Sequence, residues 1–502
     1  MDTRTGGSAD DSAEQPFAAL HETHSGVVFL LGDRVYKAKK PIRTDFLDFS
    51  TRAARVAVCA REVELNRRLA PDVYLGMTEL RDPDGRDGEP LVVMTRMPEK
   101  ARLSALLRSE VPVQDRVDEI ADLIARFHRS AHRGPHVDHE GTIEAVRRRW
   151  RNNFRETRTM PQDVVCDDRL DALERTVNRF LDGRGQLFAD RITQARIVDG
   201  HGDLLADDIF CLRDGPRVLD CLEFDDRLRY VDGLDDAACL AMDLEFQGRA
   251  DLATRFLDRY TGQADDAAPD ALRHHYIAYR AFMRAKVDCV RHLQGRSESA
   301  QDALRHTALA AEHLRRGAVR LALVGGLPAS GKSTVAARLA ESVGALLLSS
   351  DAIRRDLFAD ERGRDPAPGF RGGRYSTEST DRVYATILGR AREALGRGIS
   401  VVLDASWTDA RLRRRAEAMA SDAVADLVAL RCVAPPAVTE SRLRARAATE
   451  RDHDSEATPD IARAMAQRAD AWPGATDIDT SGPLQDSLHA AVRHWAAPSG
   501  NR

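Results

Sequence analysis

The stretch that most constrains this chain is Gly326-Leu327-Pro328-Ala329-Ser330-Gly331-Lys332-Ser333-Thr334, which fits G-x-x-x-x-G-K-[ST] at every defined position. It follows the apolar run Leu321-Ala322-Leu323-Val324 and opens the helical pattern Val335-Ala336-Ala337-Arg338-Leu339-Ala340. A buried strand, a Gly-rich loop and a helix in that order make a phosphate-binding loop. Its glycines let backbone N–H groups close around phosphate oxygens, and the helix N-terminus adds a favourable dipole. Lys332 then reaches the outer phosphates of ATP, and the Ser333 hydroxyl is placed to ligate Mg²⁺. The C-terminal part is therefore expected to be an α/β domain, a P-loop NTPase with a doubly wound parallel sheet.

Two more apolar runs end in acids, Leu346-Leu347-Leu348-Ser349-Ser350-Asp351 and Val401-Val402-Leu403-Asp404. Acceptors bind at the carboxyl edge of open α/β sheets. Asp351 and Arg354, three residues apart at a helix start, can share a crevice there. On spacing alone the pair reads equally well as a capping aspartate beside a solvated arginine. Asp404 suits the Mg²⁺–water role of the second nucleotide motif. Downstream, Arg442-Leu443-Arg444-Ala445-Arg446 precedes a polar stretch and resembles the mobile arginine-bearing lid of small P-loop kinases, although any one of these arginines also reads as solvated. That resemblance gives Arg446 the task of neutralising transferring phosphate. Taken together, these motifs resemble the group that holds gluconate kinase, chloramphenicol phosphotransferase, zeta toxins and polynucleotide 5′-kinase. The resemblance implies that Asp351 acts as acceptor base, and it leaves the acceptor unnamed.

With 502 residues the chain has room for two or three domains. No apolar run approaches the roughly 18 residues of a membrane span. Residues 1–15 are polar and acidic, without the apolar core of a signal peptide, and are expected to form a disordered tail. Seven scattered cysteines form no CxxC pair, so neither a disulfide framework nor a zinc site is expected, and a cytoplasmic protein is. A net charge of −5 gives no general attraction to nucleic acid. Of the 75 lysines and arginines only six are lysines, one in the phosphate loop and three at Lys37, Lys39 and Lys40. Such a bias keeps lysine where a compact ammonium matters, and it directs attention to Lys37.

Lys37 lies on an apparent strand, and Glu62 on the helical stretch 52–69 that follows. A strand lysine with a helix glutamate is how kinase-like folds hold ATP phosphates. A mostly helical region then leads to Gly200-His201-Gly202-Asp203-Leu204, a short hairpin, and Leu219-Asp220. His-Gly-Asp ahead of a hairpin whose second strand carries an aspartate reads as a kinase catalytic loop with its metal strand. Asp203 would accept the acceptor hydroxyl's proton, and Asp220 would hold Mg²⁺. Glu223 or Asp225 could join the metal but read better as solvated loop carboxylates, and Asp236 as a helix cap; Arg280, Arg284 and Lys286 could face the acceptor pocket but read better as a solvated helix face.

On Gly200-His201-Gly202-Asp203-Leu204, Leu219-Asp220, Lys37 and Glu62, residues 21–316 resemble the aminoglycoside phosphotransferase family, which has a protein-kinase-like fold. That family carries a metal-binding Asn five residues after the catalytic Asp. Here the position is Asp208, which can still ligate Mg²⁺ but adds negative charge beside Asp203 and Asp220. The whole order resembles a bacterial group that fuses such a domain to a C-terminal P-loop kinase of AAA type. The expected organisation is a tail at 1–16, a kinase-like N-lobe at 17–100, a helical C-lobe at 101–316 and a P-loop domain at 317–496. The leading expectation is two ATP- and Mg²⁺-dependent kinases acting on hydroxyls of small molecules, the family pointing to a sugar or aminoglycoside. Two alternatives stand beside it: one active kinase with a regulatory nucleotide-binding domain, or a 5′-hydroxyl nucleic-acid kinase in the P-loop domain. The sequence is silent on oligomeric state.

Overall fold

Alternating side chains on the strand Arg34–Lys39 put Val35, Lys37 and Lys39 on one face, and that face organises the first half of the chain. The computed structural model describes residues 16–22, 26–43, 48–81, 88–109, 111–160, 164–359, 376–447 and 459–497. The expected tail at 1–15 and most of the lid, 448–458, lie outside the described residues. Contacts divide the chain into two compact units, Met1–Glu140 with Ile197–Asp266, and Gly141–Arg196 with Ala267–Arg502.

In unit 1, strands β1 (Ala18–Glu22), β2 (Gly26–Leu31), β3 (Arg34–Lys39), β4 (Tyr74–Leu80) and β5 (Glu89–Thr95) form an antiparallel sheet in the order β1-β2-β3-β5-β4. The helix Arg52–Asn66, capped by the Thr51 side chain, buries Cys59, Glu62 and Val63. Cys59, Val63, Val73, Tyr74, Val92 and Met94 form one core, which Phe210 and Leu219 join. Those last two come from the hairpin β7 (Ile209–Leu212) and β8 (Gly215–Val218) and its exit; strands β6 (Ile197–Asp199) and β9 (Tyr230–Asp232) pair beside it. The helix Gly233–Phe246 behind them is buried on nearly every side, as its run of apolar residues requires. Sheet, helix and the β7–β8 hairpin thus share one core, a protein-kinase-like arrangement.

In unit 2, β10 (Arg320–Gly325), β11 (Leu346–Ser349), β12 (Val401–Asp404), β13 (Asp426–Val433) and β14 (Thr476–Asp479) form a parallel sheet in the order β11-β12-β10-β13-β14. The central strand β10 is buried along its whole length. Register sets Asp404 level with Val324 on one side and Ser349 on the other. The phosphate loop, the start of the Asp351 helix and Asp404 therefore leave the sheet at one edge. Val335, Leu339, Ala491 and Trp495 cover one face over Val324, Val402 and Leu430. This is the expected P-loop sheet.

Helices at 141–196 and 267–316 count with the parallel sheet, where Arg184 donates to the carbonyls of Ala423 and Val424. Arg280 departs from its expected solvated face: it is buried, with its guanidinium 5.8 Å from the Tyr279 ring centroid. Lys286 donates to Asn153 (2.9 Å) and Glu156 (2.7 Å). Among the described residues no helix is long and apolar enough to cross a membrane.

Candidate functional site

Unit 1 gathers five alternating charges into a chain. Lys37 Nζ lies 2.9 Å from Glu62 Oε1 and 2.5 Å from Asp220 Oδ1. Lys39 Nζ lies 2.6 Å from the other Glu62 oxygen and 2.5 Å from Glu223 Oε1. Glu62 is fully buried, and a buried carboxylate is tolerated only when paired. Burial pushes its pKa up, but the two ammonium groups hold it below the ordinary value. Burial alone would draw Lys37 down, and Asp220 with Glu62 keeps it well above the lysine range. The Asp220 carboxyl is half exposed, and the Lys37 charge, rather than burial, holds it at about 2. The expected Lys37–Glu62 pair is thus formed, with Asp220 joined to it. Glu223, expected as a solvated loop carboxylate, is instead a largely buried partner of Lys39, its side chain 10% exposed. Asp225 remains a loop acid, accepting from Arg227.

The Gly200–Leu204 loop is fixed from behind. Asp236 accepts from the backbone N–H of His201 (2.7 Å) and of Gly202 (2.8 Å), and its Oδ2 lies 2.9 Å from His128 Nε2. His128 Nδ1 in turn meets the Tyr260 hydroxyl at 2.9 Å. This corrects the capping role expected for Asp236: the cap of that helix is Asp232, whose side chain accepts from Leu234 N. Both glycines of the motif are required. A Cβ on Gly200 would sit 2.6 Å from Asp236 Oδ2, and Gly202 has φ +93°. His201 Nε2 meets the Leu219 carbonyl at 3.0 Å, which leaves Nδ1 to accept from Asp203 N at 3.3 Å. One imidazole therefore ties the Gly200–Leu204 loop to the segment just after β8 that carries Asp220. Replacing Asp236 with Leu should strand two buried backbone donors and His128, and is expected to cost about 3–5 kcal/mol in denaturant unfolding.

Asp208 is buried close enough to Asp203 and Asp220 to feel both charges. Its carboxyl is pushed well above the ordinary range by burial and then by Asp220 and Asp203. Among the described residues no three His, Cys, Asp or Glu side chains gather to hold a metal unaided. Mg²⁺ normally needs only one or two carboxylates, taking its remaining ligands from water and phosphate. Mutual repulsion among Asp203, Asp208 and Asp220 fits a divalent cation there.

In unit 2 the loop geometry demands its glycines. A Cβ on Gly326, which has φ +144°, would sit 2.5 Å from Ser330 Oγ and 2.7 Å from the Cys432 carbonyl. Gly331, at φ +84°, caps the helix Lys332–Val343. Ser330 Oγ is buried without a hydrogen bond among the described residues, as a group awaiting a phosphate oxygen would be. Thr480 Oγ1 donates to the Ser330 carbonyl at 2.6 Å, and Arg442 donates to the carbonyls of Thr480 (2.6 Å) and Ala329 (3.3 Å). Leu327, Pro328 and Ala329 form the bend between, with Ala329 at φ +60°.

Asp404 stands beside Lys332, with the Ser333 and Ser349 hydroxyls against its carboxylate. Burial raises its pKa, Lys332 opposes this, and Asp351 adds to it. Its Oδ1 is buried without a hydrogen bond among the described residues, a fit for a metal-bound water. Arg354 Nη1 meets Asp351 Oδ1 at 2.8 Å, both partly buried, so the pair forms as the spacing allowed. Tyr384, which no motif announced, is buried close enough to feel both charges; its hydroxyl lies 3.4 Å from Ser406 Oγ. Arg446 sits on the helix Pro436–Ala447, and its side chain lies outside the described residues.

A family model described as an AAA domain matches residues 321–471. The chain is 46% identical over 499 residues to the uncharacterized protein Rv2004c of Mycobacterium tuberculosis (strain ATCC 25618 / H37Rv), covering 99% of each. Among solved structures it is similar to a choline/ethanolamine kinase family protein from Mesorhizobium loti, at 14% identity and TM-score 0.37, over 61% of this chain and 92% of that one. It is also similar to a gluconokinase from Sinorhizobium meliloti 1021, at 17% identity and TM-score 0.28, over 36% of this chain and 91% of that one.

Proposed function

Since this chain belongs, along its whole length, to the family of the mycobacterial protein Rv2004c, we propose one activity for that architecture: ATP-dependent phosphoryl transfer to hydroxyl groups of small molecules, at two separate sites. We take residues 17–316 as one kinase domain and 317–496 as the other. The observation that carries the reading is that Lys37 reaches both Glu62 and Asp220, while Lys332 and Ser333 stand against Asp404.

In the first site Lys37 orients the phosphates, held in place by Glu62. Asp203, on a loop pinned by Asp236, takes the proton of the acceptor hydroxyl as the oxygen attacks the γ-phosphorus and ADP leaves. In the second, backbone N–H groups of residues 326–334 cradle the phosphates and Lys332 neutralises the outer ones. Asp351, oriented by Arg354, takes the acceptor proton, and Arg446 neutralises the transferring phosphate. Asp208 and Asp220 would hold Mg²⁺ in the first site, and Ser333 backed by Asp404 in the second, where the ion neutralises phosphate charge. Most of this chemistry is positioning and electrostatic stabilisation.

Asp208 favours a second reading, in which the first domain binds nucleotide and regulates the other without transferring phosphate. The two separate when γ-labelled ATP is offered to the full chain with sugars, aminoglycosides and 5′-hydroxyl oligonucleotides. Label entering a sugar or aminoglycoside, and lost in Asp203→Asn, supports two kinases. Label transfer indifferent to Asp203 supports the regulatory reading, and label entering only oligonucleotides overturns the small-molecule assignment.

A further inference from the structure

We infer that unit 1 carries a second small-molecule site, beside the helix Arg52–Asn66, that takes a phosphomonoester with a compact apolar body. Arg61, Glu64 and Leu65 share one stripe of that helix, a different face from Glu62, and Arg68 follows in the turn just after its end. With the helix Gln114–Ser130, the segment after it and Tyr230 they enclose a cavity of about 740 Å³. That is the size of a small-molecule site, commonly about 300–1,000 Å³. Its floor is apolar, with Leu65 and Phe127 both buried.

The rim is basic. Arg61, Arg68 and Arg126 face two carboxylates, and both of those are engaged. Glu64 pairs with Arg61 at 2.8 Å, and Asp199 accepts from Arg229 at 2.8 Å with Arg68 3.5 Å away. Arg126 has no hydrogen bond or ion pair to its guanidinium among the described residues. The neighbouring carboxylate, Asp122, gives both oxygens to Arg259. His132 and His136 lie with ring centroids 5.4 Å apart, and His136 meets Tyr230 at 5.5 Å. An unengaged guanidinium beside two imidazoles recognises a dianion, and the ring faces with the apolar floor recognise the body that carries it.

The site is placed to act on the catalytic loop. Arg68 donates to the carbonyls of Asp199 (3.0 Å) and Gly200 (2.9 Å), the residues that lead into His201–Asp203. A bound phosphate that engages Arg68 competes for those bonds, so occupancy should alter turnover at Asp203. That consequence rests on the phosphotransferase reading; the binding does not.

The test is calorimetric titration of the full chain carrying Lys332→Ala, which silences the phosphate loop, with phenyl phosphate and with inorganic phosphate. Phenyl phosphate is expected to bind at least about tenfold more tightly than inorganic phosphate, and Arg126→Ala and His136→Ala each to weaken it by about tenfold. Both side chains are exposed, so thermal unfolding of these variants should match that of the parent. Absence of binding, equal affinity for the inorganic ion, or affinity unchanged by Arg126→Ala would each overturn the proposal.

Discussion

Lys332→Ala is expected to lower the affinity of the P-loop unit for ATP by about a hundredfold or more, with its share of turnover falling at least as far. The size follows from position. Lys332 opens its helix immediately after Gly331, where the backbone N–H groups are neutral donors and its ammonium brings a full positive charge to the phosphates. It also offsets the burial of Asp404, which loses that support in the variant. Binding by calorimetry and turnover under saturating Mg²⁺ check both effects. Nucleotide binding through Lys37 should be untouched, since each constellation is built within its own unit. An ATP affinity in the P-loop unit within threefold of wild type would remove Lys332 from the phosphate site.

Asp203→Asn is expected to lower kcat for the first site by about 10³-fold, within the range of general-base contributions, while the KM for ATP holds. The amide keeps the size of the carboxylate, and the backbone N–H of Asp203 stays on His201, so the loop should not move. What the variant cannot do is accept the acceptor's proton. Lys37, Glu62 and Asp220 remain, so the nucleotide should bind as before. The thermal midpoint is expected to match wild type, in contrast to Asp236→Leu, where buried donors lose their acceptor. A parallel loss of ATP binding in Asp203→Asn would assign Asp203 to the nucleotide rather than to the acceptor.

Much of this was readable in the sequence, for a physical reason. The phosphate loop and Gly200-His201-Gly202-Asp203 are local motifs whose residue types are forced by backbone geometry. Gly326 and Gly200 have no room for a Cβ, and Gly331 and Gly202 take positive φ. The acids at 351 and 404 were legible because apolar runs end at a sheet edge, Asp404 closing its strand and Asp351 opening the helix that follows the other. Asp236 was not: it reads as a cap near a helix start, and its real role depends on a loop more than thirty residues earlier in the chain. A helix buried on all sides offers no periodic clue to which residue faces what. The Lys39–Glu223 pair left a fainter signal. In a chain with six lysines, Lys37 and Lys39 stand two apart on one strand and so share a face. Tyr384 sits mid-helix and gave none.

The central claim, two separate phosphate-handling sites on one chain, is tested most directly by counting nucleotides. Equilibrium binding of a non-hydrolysable ATP analogue with Mg²⁺ is predicted to give two per wild-type chain, one in Lys332→Ala, one in Lys37→Ala and none in the double variant. A single nucleotide per wild-type chain, or loss of all binding in Lys332→Ala alone, would contradict it.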